Sequence, residues 1–154
     1  MLLTESLPIV SIDLNLKGKD KVQVLESLVA LAGKAQTFES PGEVVAALLE
    51  RESLSTTGIG NGLAVPHCKT PQAKQLVIAL GRVPQGINFF ALDGHPVRLF
   101  FLLLAPQEAA NSHLKALAKV ARFAKNPSIL QELMDQPDPE RLLAFLKEQD
   151  TLMD

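Results

Sequence analysis

One histidine of this sequence lies in a context that suits nucleophilic chemistry. His67 directly follows Pro66, at the end of the short apolar run Leu63-Ala64-Val65. Because proline fixes its own backbone, the next ring is predicted to project from a rigid strand end. With an ordinary pKa of ~6.5, a histidine is about three quarters neutral at pH 7, so one ring nitrogen keeps the lone pair that attack on phosphorus requires. We therefore predict that His67 is a nucleophile.

A phosphoryl group on His67 would bring close to two negative charges, which need hydrogen-bond donors and positive charge nearby. Arg51, near the end of a predicted helix, can offer a bidentate guanidinium group. The turn formed by Thr56, Thr57 and Gly58 can offer backbone amides and hydroxyl groups. We predict that these residues bind the phosphoryl group, although spacing alone does not show that they meet in space.

A second histidine, His113, is predicted to lie in the first turn of the helix that follows Asn111 and Ser112. The positive end of the helix dipole favours an anion there, so His113 is a third candidate. Structural interpretations without a function stay open for two of these residues. His113 could be a solvated residue at the start of a helix. Arg51 could be a cation at the end of a helix, where its interaction with the helix dipole stabilises the helix by ~0.3–1 kcal/mol. His95, in the turn before Pro96, is interpreted as a surface residue without a role.

Nucleotide and metal binding have weaker support in the sequence. Gly58, Gly60 and Gly62 alternate in a loop, but no predicted strand leads into them, no helix follows, and no Lys-Ser or Lys-Thr pair comes directly after the last glycine, as a phosphate-binding loop would require. They are predicted to let the loop wrap around a phosphoryl group. Cys68 next to His67 lacks the spacing of a metal site. We expect neither a cofactor nor a metal.

Composition narrows the class of protein. The chain has 154 residues, of which 47% are hydrophobic and 21% charged, with a formal net charge of −2. Such a length and composition predict one folded domain over residues 1–154. The balanced charge argues against nucleic acid as a partner. The single cysteine cannot form a disulfide within the chain, and the longest apolar run (99–105) is too short to span a bilayer. We therefore expect a cytoplasmic protein without membrane insertion.

The elements that position these residues follow from hydrophobic periodicity and turn signals. Strands are predicted near 7–14, 63–65, 75–83 and 96–105, with an edge strand at 87–92. Helices are predicted at 20–35, 40–51 and 114–123, and two more begin at Asn126-Pro127 and Asp138-Pro139. This order predicts an α/β sandwich in which a mixed central β-sheet is flanked by helices on both sides.

The segment from Arg51 to His67 resembles a known family. It reads Arg-Glu, then two residues later Ser-Thr-Thr-Gly-Ile-Gly-Asn-Gly-Leu-Ala-Val-Pro-His. This pattern is similar to the fructose/mannitol-type enzyme IIA family of the bacterial phosphoenolpyruvate-dependent phosphotransferase system (PTS), and most similar to its nitrogen-regulatory branch. The likeness continues through 87–89, 93–94, 99–106 and 113–114. It implies a mixed sheet flanked by helices and phosphorylation of His67, assisted by Arg51 and His113.

Two departures from the family pattern are mild. Cys68 stands where members usually have glycine, and Thr56-Thr57 stands where they often have Ser-Thr. The first could restrict the backbone after His67 or place a thiol at the site. The second keeps a hydroxyl group, so neither changes the expected chemistry.

The resemblance implies a histidine phosphoryl carrier that accepts its group from an HPr-type phosphocarrier protein and has a nitrogen-type regulatory role. Apolar residues near the histidine are predicted to form the docking patch, namely Ile59, Leu63 and Phe89 or Phe90. Three alternatives stay open. The chain could be a sugar-specific IIA component that donates to a IIB partner, a regulatory module whose phosphorylation state controls a transporter or kinase without onward transfer, or a metal-dependent hydrolase.

Overall fold

A computed structural model describes residues 1–153, apart from the side chain of Ala110. Short 3₁₀ turns at Leu3–Ser6 and Ile9–Ser11 precede the sheet. The strands are β1 (Ile12–Asp13), β2 (Gly58–Gly60), β3 (Leu63–Ala64), β4 (His67–Lys69), β5 (Val77–Ile87) and β6 (Val97–Ala105). The helices are α1 (Lys21–Ala32), α2 (Pro41–Leu54), α3 (Ala110–Ala124), α4 (Pro127–Asp135) and α5 (Pro139–Leu152).

The strands of these residues form one mixed sheet around β6. The order is β1-β5-β6-β3-β2, and β4 also pairs with β6. Strands β5 and β6 are antiparallel, whereas β3 and β4 run parallel to β6 and β1 runs parallel to β5. The register places His67 opposite Leu103 at the carboxyl-terminal half of β6. The predicted mixed sheet is confirmed.

Helices cover both faces of this sheet. Alternate residues of β6 point to opposite sides, so Phe100 and Leu102 pack with Leu28 and Leu48 of α1 and α2. On the other face, the apolar residues of β6 pack with those of α3, α4 and α5; the set includes Phe101, Leu103, Phe123, Leu133 and Leu142. The apolar run at 96–105 is therefore explained by burial on both faces, as predicted. Because the two clusters share β5 and β6, we propose that residues 1–154 form one domain.

Three helix starts have the predicted caps. Asp20 accepts a hydrogen bond from the Gln23 amide at 2.9 Å. Asn126 and Asp138 likewise accept from the amides three residues on, each ahead of a proline at the first helical position. Ser40 precedes Pro41 in the same sequence pattern, which also predicts a cap for α2, but its side chain makes no cap bond. Instead its backbone amide and carbonyl pair with the side chain of Gln72, at 2.8 and 3.1 Å.

Several predicted boundaries are wrong. The expected strand at 7–14 is reduced to Ile12–Asp13, because residues 3–11 form 3₁₀ turns whose buried residues pack against the helical layer instead of pairing with a strand. Helix α2 continues to Leu54, so Arg51 lies in its last turn. The expected edge strand at 87–92 is absent, because β5 ends at Ile87 and Phe90 has a positive φ of 56°, which breaks an extended backbone.

Candidate functional site

The sheet presents His67 at the start of β4. After β3 ends at Ala64, residues Val65 and Pro66 carry the chain to β4, and the Pro66 carbonyl accepts from the Leu103 amide at 3.0 Å. His67 therefore begins a strand, whereas the sequence predicted that a strand stops there. The backbone on both sides of the ring is tied to the sheet, and the ring itself is half-buried. This is the rigid presentation that the Pro-His pair predicts.

One ring nitrogen of His67 has a fixed role. Its Nδ1 lies 2.8 Å from the Val65 carbonyl oxygen. Because a carbonyl can only accept, Nδ1 must carry the proton and donate it. In the neutral ring the lone pair then lies on Nε2. Local backbone geometry thus selects the tautomer with a nucleophilic Nε2.

His113 packs against His67. Their ring centroids are 5.5 Å apart and the rings meet edge to face at 72°. His113 is the fourth residue of α3 and only 5% exposed, so it is not a solvated helix start. Its Nε2 is buried and has no hydrogen-bond partner among the residues that the structure describes. A buried polar atom without a partner is unusual and is available to a ligand at His67.

Arg51 acts on the same ring. It is half-buried in the last turn of α2, where one guanidinium nitrogen donates to the Ser55 carbonyl at 2.9 Å. Its positive charge contributes to lowering the pKa of His67, which places the guanidinium within electrostatic reach of the ring. The hydrogen bond to Ser55 supports the plain interpretation of a helix-end cation, and the effect on His67 adds a second role.

Both histidines are held in the neutral form. Burial is the largest cause that lowers the pKa of His67, and Arg51 adds to it, whereas the Val65 hydrogen bond and Glu52 oppose it. For His113, burial first and then the charges of His67 and Lys69 lower the pKa to about 4. Near pH 7 the site therefore holds two uncharged rings, and on His67 the lone pair lies on Nε2.

The turn predicted to bind the phosphoryl group is largely engaged within the protein. The Thr57 amide donates to Glu52 Oε1 at 3.1 Å, and the Thr57 hydroxyl donates to Glu52 Oε2. The Gly58 amide donates to the Thr56 hydroxyl oxygen at 3.1 Å. Because a donor already bonded inside the protein is not free for a ligand, the structure supports a positioning role for Thr57 and Gly58.

The glycines of this loop also have packing and conformational roles within the protein. A side chain at Gly58 would come within 2.9 Å of the Ala91 backbone, so glycine lets the 88–94 loop pack closely on β2. Asn61 and Gly62 have φ of 56° and 78°, which makes the tight turn between β2 and β3. The loop is thus built around a neighbouring segment of the chain.

Sequence reasoning missed Glu52. Its side chain is 3% exposed, pairs with Lys21 Nζ at 2.9 Å, and influences the pKa of His67. The signal was present, because Val44, Leu48 and Glu52 recur at intervals of four and together form the buried stripe of α2. A glutamate on an apolar stripe requires a buried partner.

The expected docking patch needs correction. Leu63 and Phe89 are fully buried in the two core clusters and offer nothing to a partner. Phe90 is 67% exposed, and Ile59 is half-buried. From the sequence alone, the apolar residues at 59–63 and 89–90 could not be assigned to the buried or the exposed side of the protein, because that depends on how the sheet is packed.

Residues 1–153 contain neither a cluster of metal-ligating side chains nor a helix that could span a membrane. No group of three or more His, Cys, Asp or Glu side chains in this range is close enough to hold a metal ion. In the same range, no helix has the length and apolar character needed to cross a membrane.

Solved structures define the class first. The fold is shared with the nitrogen regulatory protein IIA-Ntr from Neisseria meningitidis, with a TM-score of 0.86 and 34% identity over 94% of this chain and 98% of that one. The overall fold of this chain is thus that of a PTS IIA protein.

Sequence comparisons then give the family. A family model described as "Phosphoenolpyruvate-dependent sugar phosphotransferase system, EIIA 2" matches residues 5–149. This chain belongs to that family, as the resemblance in the Arg51–His67 segment indicated. It is therefore a PTS EIIA phosphotransfer component.

Relatives fall in both branches of the family. A nitrogen regulatory protein from Bradyrhizobium diazoefficiens is 39% identical over 131 residues, which cover 85% of each protein. The PTS system fructose-specific EIIABC component of Bacillus subtilis is 33% identical over 150 residues. Those residues are 97% of this chain but only 24% of that protein. The chain thus corresponds to one part of the longer relative.

Proposed function

We propose that His67 is the phosphoryl-accepting residue and that it takes the group from a phosphohistidine of an HPr-type carrier. The observation that carries this proposal is the contact between His67 Nδ1 and the Val65 carbonyl, which leaves the lone pair on Nε2. The Nε2 lone pair forms the new nitrogen–phosphorus bond while the bond to the donor's ring nitrogen breaks and its electron pair returns to the donor. No proton has to leave His67, since Nδ1 already donates to the carbonyl.

The neighbours of His67 supply charge stabilisation. Arg51 offers a guanidinium group to the incoming dianion, and its charge already reaches the ring. His113 is buried and its Nε2 has no partner among the residues that the structure describes, so in the tautomer that carries the proton on Nε2 this ring would donate to a phosphoryl oxygen. We propose that the Thr56 hydroxyl contributes the donor of the turn, because both Thr57 donors bond to Glu52, whereas the Thr56 hydroxyl would give up only a long contact of 3.4 Å with the Phe89 carbonyl. Phosphoryl transfer then needs mainly positioning and neutralised charge, without a bound metal.

For the onward step we propose a nitrogen-type regulatory role, supported by the higher identity to a nitrogen regulatory protein. The second candidate is a sugar-specific IIA component that donates to a IIB partner, which the similarity to a fructose-specific EIIABC component favours. In both cases we keep the expectation of a cytoplasmic protein.

The test is direct phosphorylation. The protein is incubated with phosphoenolpyruvate, enzyme I and HPr-type carriers, and its intact mass is followed. We expect one acid-labile phosphoryl adduct that is lost in His67→Ala and retained in His95→Ala, a matched change at an exposed turn histidine. An adduct that survives His67→Ala would move the site elsewhere, and no adduct with any carrier would exclude the carrier function.

A transfer assay separates the two onward roles. The phosphorylated protein is mixed with purified fructose-type and mannitol-type IIB domains, and the mass of each IIB is monitored. Loss of the phosphoryl group to a IIB domain within seconds to minutes would support the sugar-specific candidate. Retention of the group in all mixtures is expected for the regulatory role.

A further inference from the structure

An ion pair outside the reacting groups is connected to His67 by consecutive contacts. The Glu52 carboxylate accepts the amide and the hydroxyl of Thr57. The Thr57 carbonyl accepts the Val65 amide at 2.9 Å. The Val65 carbonyl in turn accepts Nδ1–H of His67 at 2.8 Å. Both backbone groups of Thr57 and both of Val65 are therefore fixed, and the last contact is the one that selects the tautomer.

The far end of this path is also fixed. Lys21, the first residue of α1, pairs with Glu52 Oε1 at 2.9 Å. Its ammonium group lies 4.5 Å from the centre of the buried Phe89 ring. The cation is thus enclosed by a carboxylate and an aromatic face, and its side chain is only 18% exposed. Such a pair holds the end of α2 against the start of α1.

We propose that Lys21 and Glu52 are positioning residues for phosphoryl uptake: Glu52 orients the Val65 carbonyl through Thr57, and Lys21 neutralises the Glu52 charge beside an incoming dianion. The inference rests on the proposed function of His67. It goes beyond that function because neither residue has to touch the phosphoryl group.

Electrostatics, in addition to geometry, explains why Glu52 is paired with Lys21. A buried carboxylate within electrostatic reach of His67 would repel a phosphoryl dianion. With Lys21 bound to it, the net charge of the pair is zero, so the carboxylate keeps its three hydrogen-bonding and ionic contacts at little electrostatic cost to the product. An uncharged side chain at position 52 could not accept two hydrogen bonds from Thr57 and also bind the ammonium group.

A purely structural role makes a different prediction from a positioning role. If the pair only joined α1 to α2, its loss would lower stability and leave the His67 ring unchanged in the folded protein. If it positions the ring, the folded variant would show a mixture of the two neutral tautomers, because the Val65 carbonyl is no longer held. The two cases differ in a spectroscopic signal that does not depend on stability.

The experiment compares Glu52→Gln with Glu50→Gln, the same change at an exposed residue of the same helix. Imidazole ¹⁵N chemical shifts of His67 report the tautomer, far-UV and near-UV circular dichroism report folding, and quench-flow phosphorylation by an HPr-type carrier reports the uptake rate. For Glu52→Gln we expect Nδ1 and Nε2 shifts that move toward each other, a lowered His67 pKa, and uptake slowed by about 10-fold. Glu50→Gln should match the unmodified protein in every signal.

A folded Glu52→Gln variant with unchanged ¹⁵N shifts and uptake rate would overturn the proposal. If Glu52→Gln does not fold, Thr57→Val carries the same test, because it removes the hydroxyl contact and keeps the amide contact; unchanged shifts there would overturn the proposal too. The tautomer signals require no phosphorylation. Failure of the unmodified protein to take up a phosphoryl group would therefore refute the function of His67 separately from the ¹⁵N result.

Discussion

The imidazole of His113 lies edge to face against the imidazole of His67, with the ring centroids 5.5 Å apart. Burial lowers the pKa of both rings, and a charge on either one disfavours a charge on the other. The pair is thus kept neutral near pH 7. In the function proposed above, one neutral ring would serve as a nucleophile and the second as a donor, a division that a single exposed histidine could not provide.

The lowered pKa of His113 predicts that acid destabilises the fold. Its pKa falls from an ordinary 6.5 to about 4 in the folded protein, so the unfolded chain binds more protons between these values. The contribution of neutral His113 is complete above about pH 6.5 and is lost as the pH falls toward about 4, a change of about 3 kcal/mol. His67 acts in the same direction.

Urea unfolding at several pH values between about 8 and 4 measures this effect. In His113→Gln we expect a smaller loss of unfolding free energy on acidification, whereas His95→Gln, at an exposed turn, should follow the unmodified protein. Equal slopes in all three proteins would contradict the assignment of the acid sensitivity to His113.

Arg51→Ala is predicted to impair phosphoryl uptake far more than folding. Loss of the charged donor beside His67 should slow uptake by roughly 10²–10³-fold, as for other groups that stabilise developing charge. Loss of the helix-end cation and its Ser55 contact should lower the unfolding free energy by only about 1 kcal/mol. Quench-flow phosphorylation and urea unfolding give the two quantities.

A matched control is Arg122→Ala, which removes an exposed arginine from the last turn of α3. This variant should keep its uptake rate. Arg51→Lys should recover part of the uptake rate, because lysine keeps the positive charge but lacks the bidentate guanidinium group. A rate loss in Arg51→Ala no larger than in Arg122→Ala would rule out the proposed role.

Cys68 is predicted to be unreactive in the folded protein. Burial raises the pKa of its thiol to about 12, and the side chain lies in the cluster on the α1 and α2 face. Since the thiolate is the reactive form, iodoacetamide at about pH 8 should leave the native protein unmodified and label it fully in denaturant. Intact mass distinguishes the two states, and rapid native labelling would show that the thiol is accessible.

Phe90 is predicted to contact the donor carrier. It is 67% exposed and lies close to Lys21, whose partner Glu52 influences His67. Phe90→Ser should raise the KM for the donor carrier by about 10-fold at unchanged kcat, because an exposed aromatic residue often dominates a small interface. Its unfolding free energy should change by less than about 0.5 kcal/mol.

Leu152→Ser is the control for Phe90, since Leu152 is 74% exposed at the end of α5. The KM of this variant should not change. Equal KM values for the Phe90 and Leu152 variants would place the donor on another surface.

Much of the fold follows from local signals in the sequence. A helix cap depends on residues a few positions apart, so the caps at Asp20, Asn126 and Asp138 could be predicted. Strands β5 and β6 could be predicted as well, because buried strands have continuous apolar runs. Edge elements were less predictable. Residues 7–14 and 87–92 have alternating apolar residues, but strand formation there depends on a pairing partner elsewhere in the chain.

The sequence by itself determined the family, the nucleophile proposed at His67 and the candidates Arg51 and His113, because a contiguous motif and the chemistry of each residue type are local properties. Tertiary structure decided which groups meet. It packed His113 against His67, directed Nδ1–H of His67 at the Val65 carbonyl oxygen, and engaged the Thr57 donors in hydrogen bonds to Glu52. The two histidines come from separate elements, β4 and α3, whereas the other two contacts are local and depend on how the chain turns after α2 and after β3. Burial and charge act through space, so their effects appear only once the sheet and helices are packed.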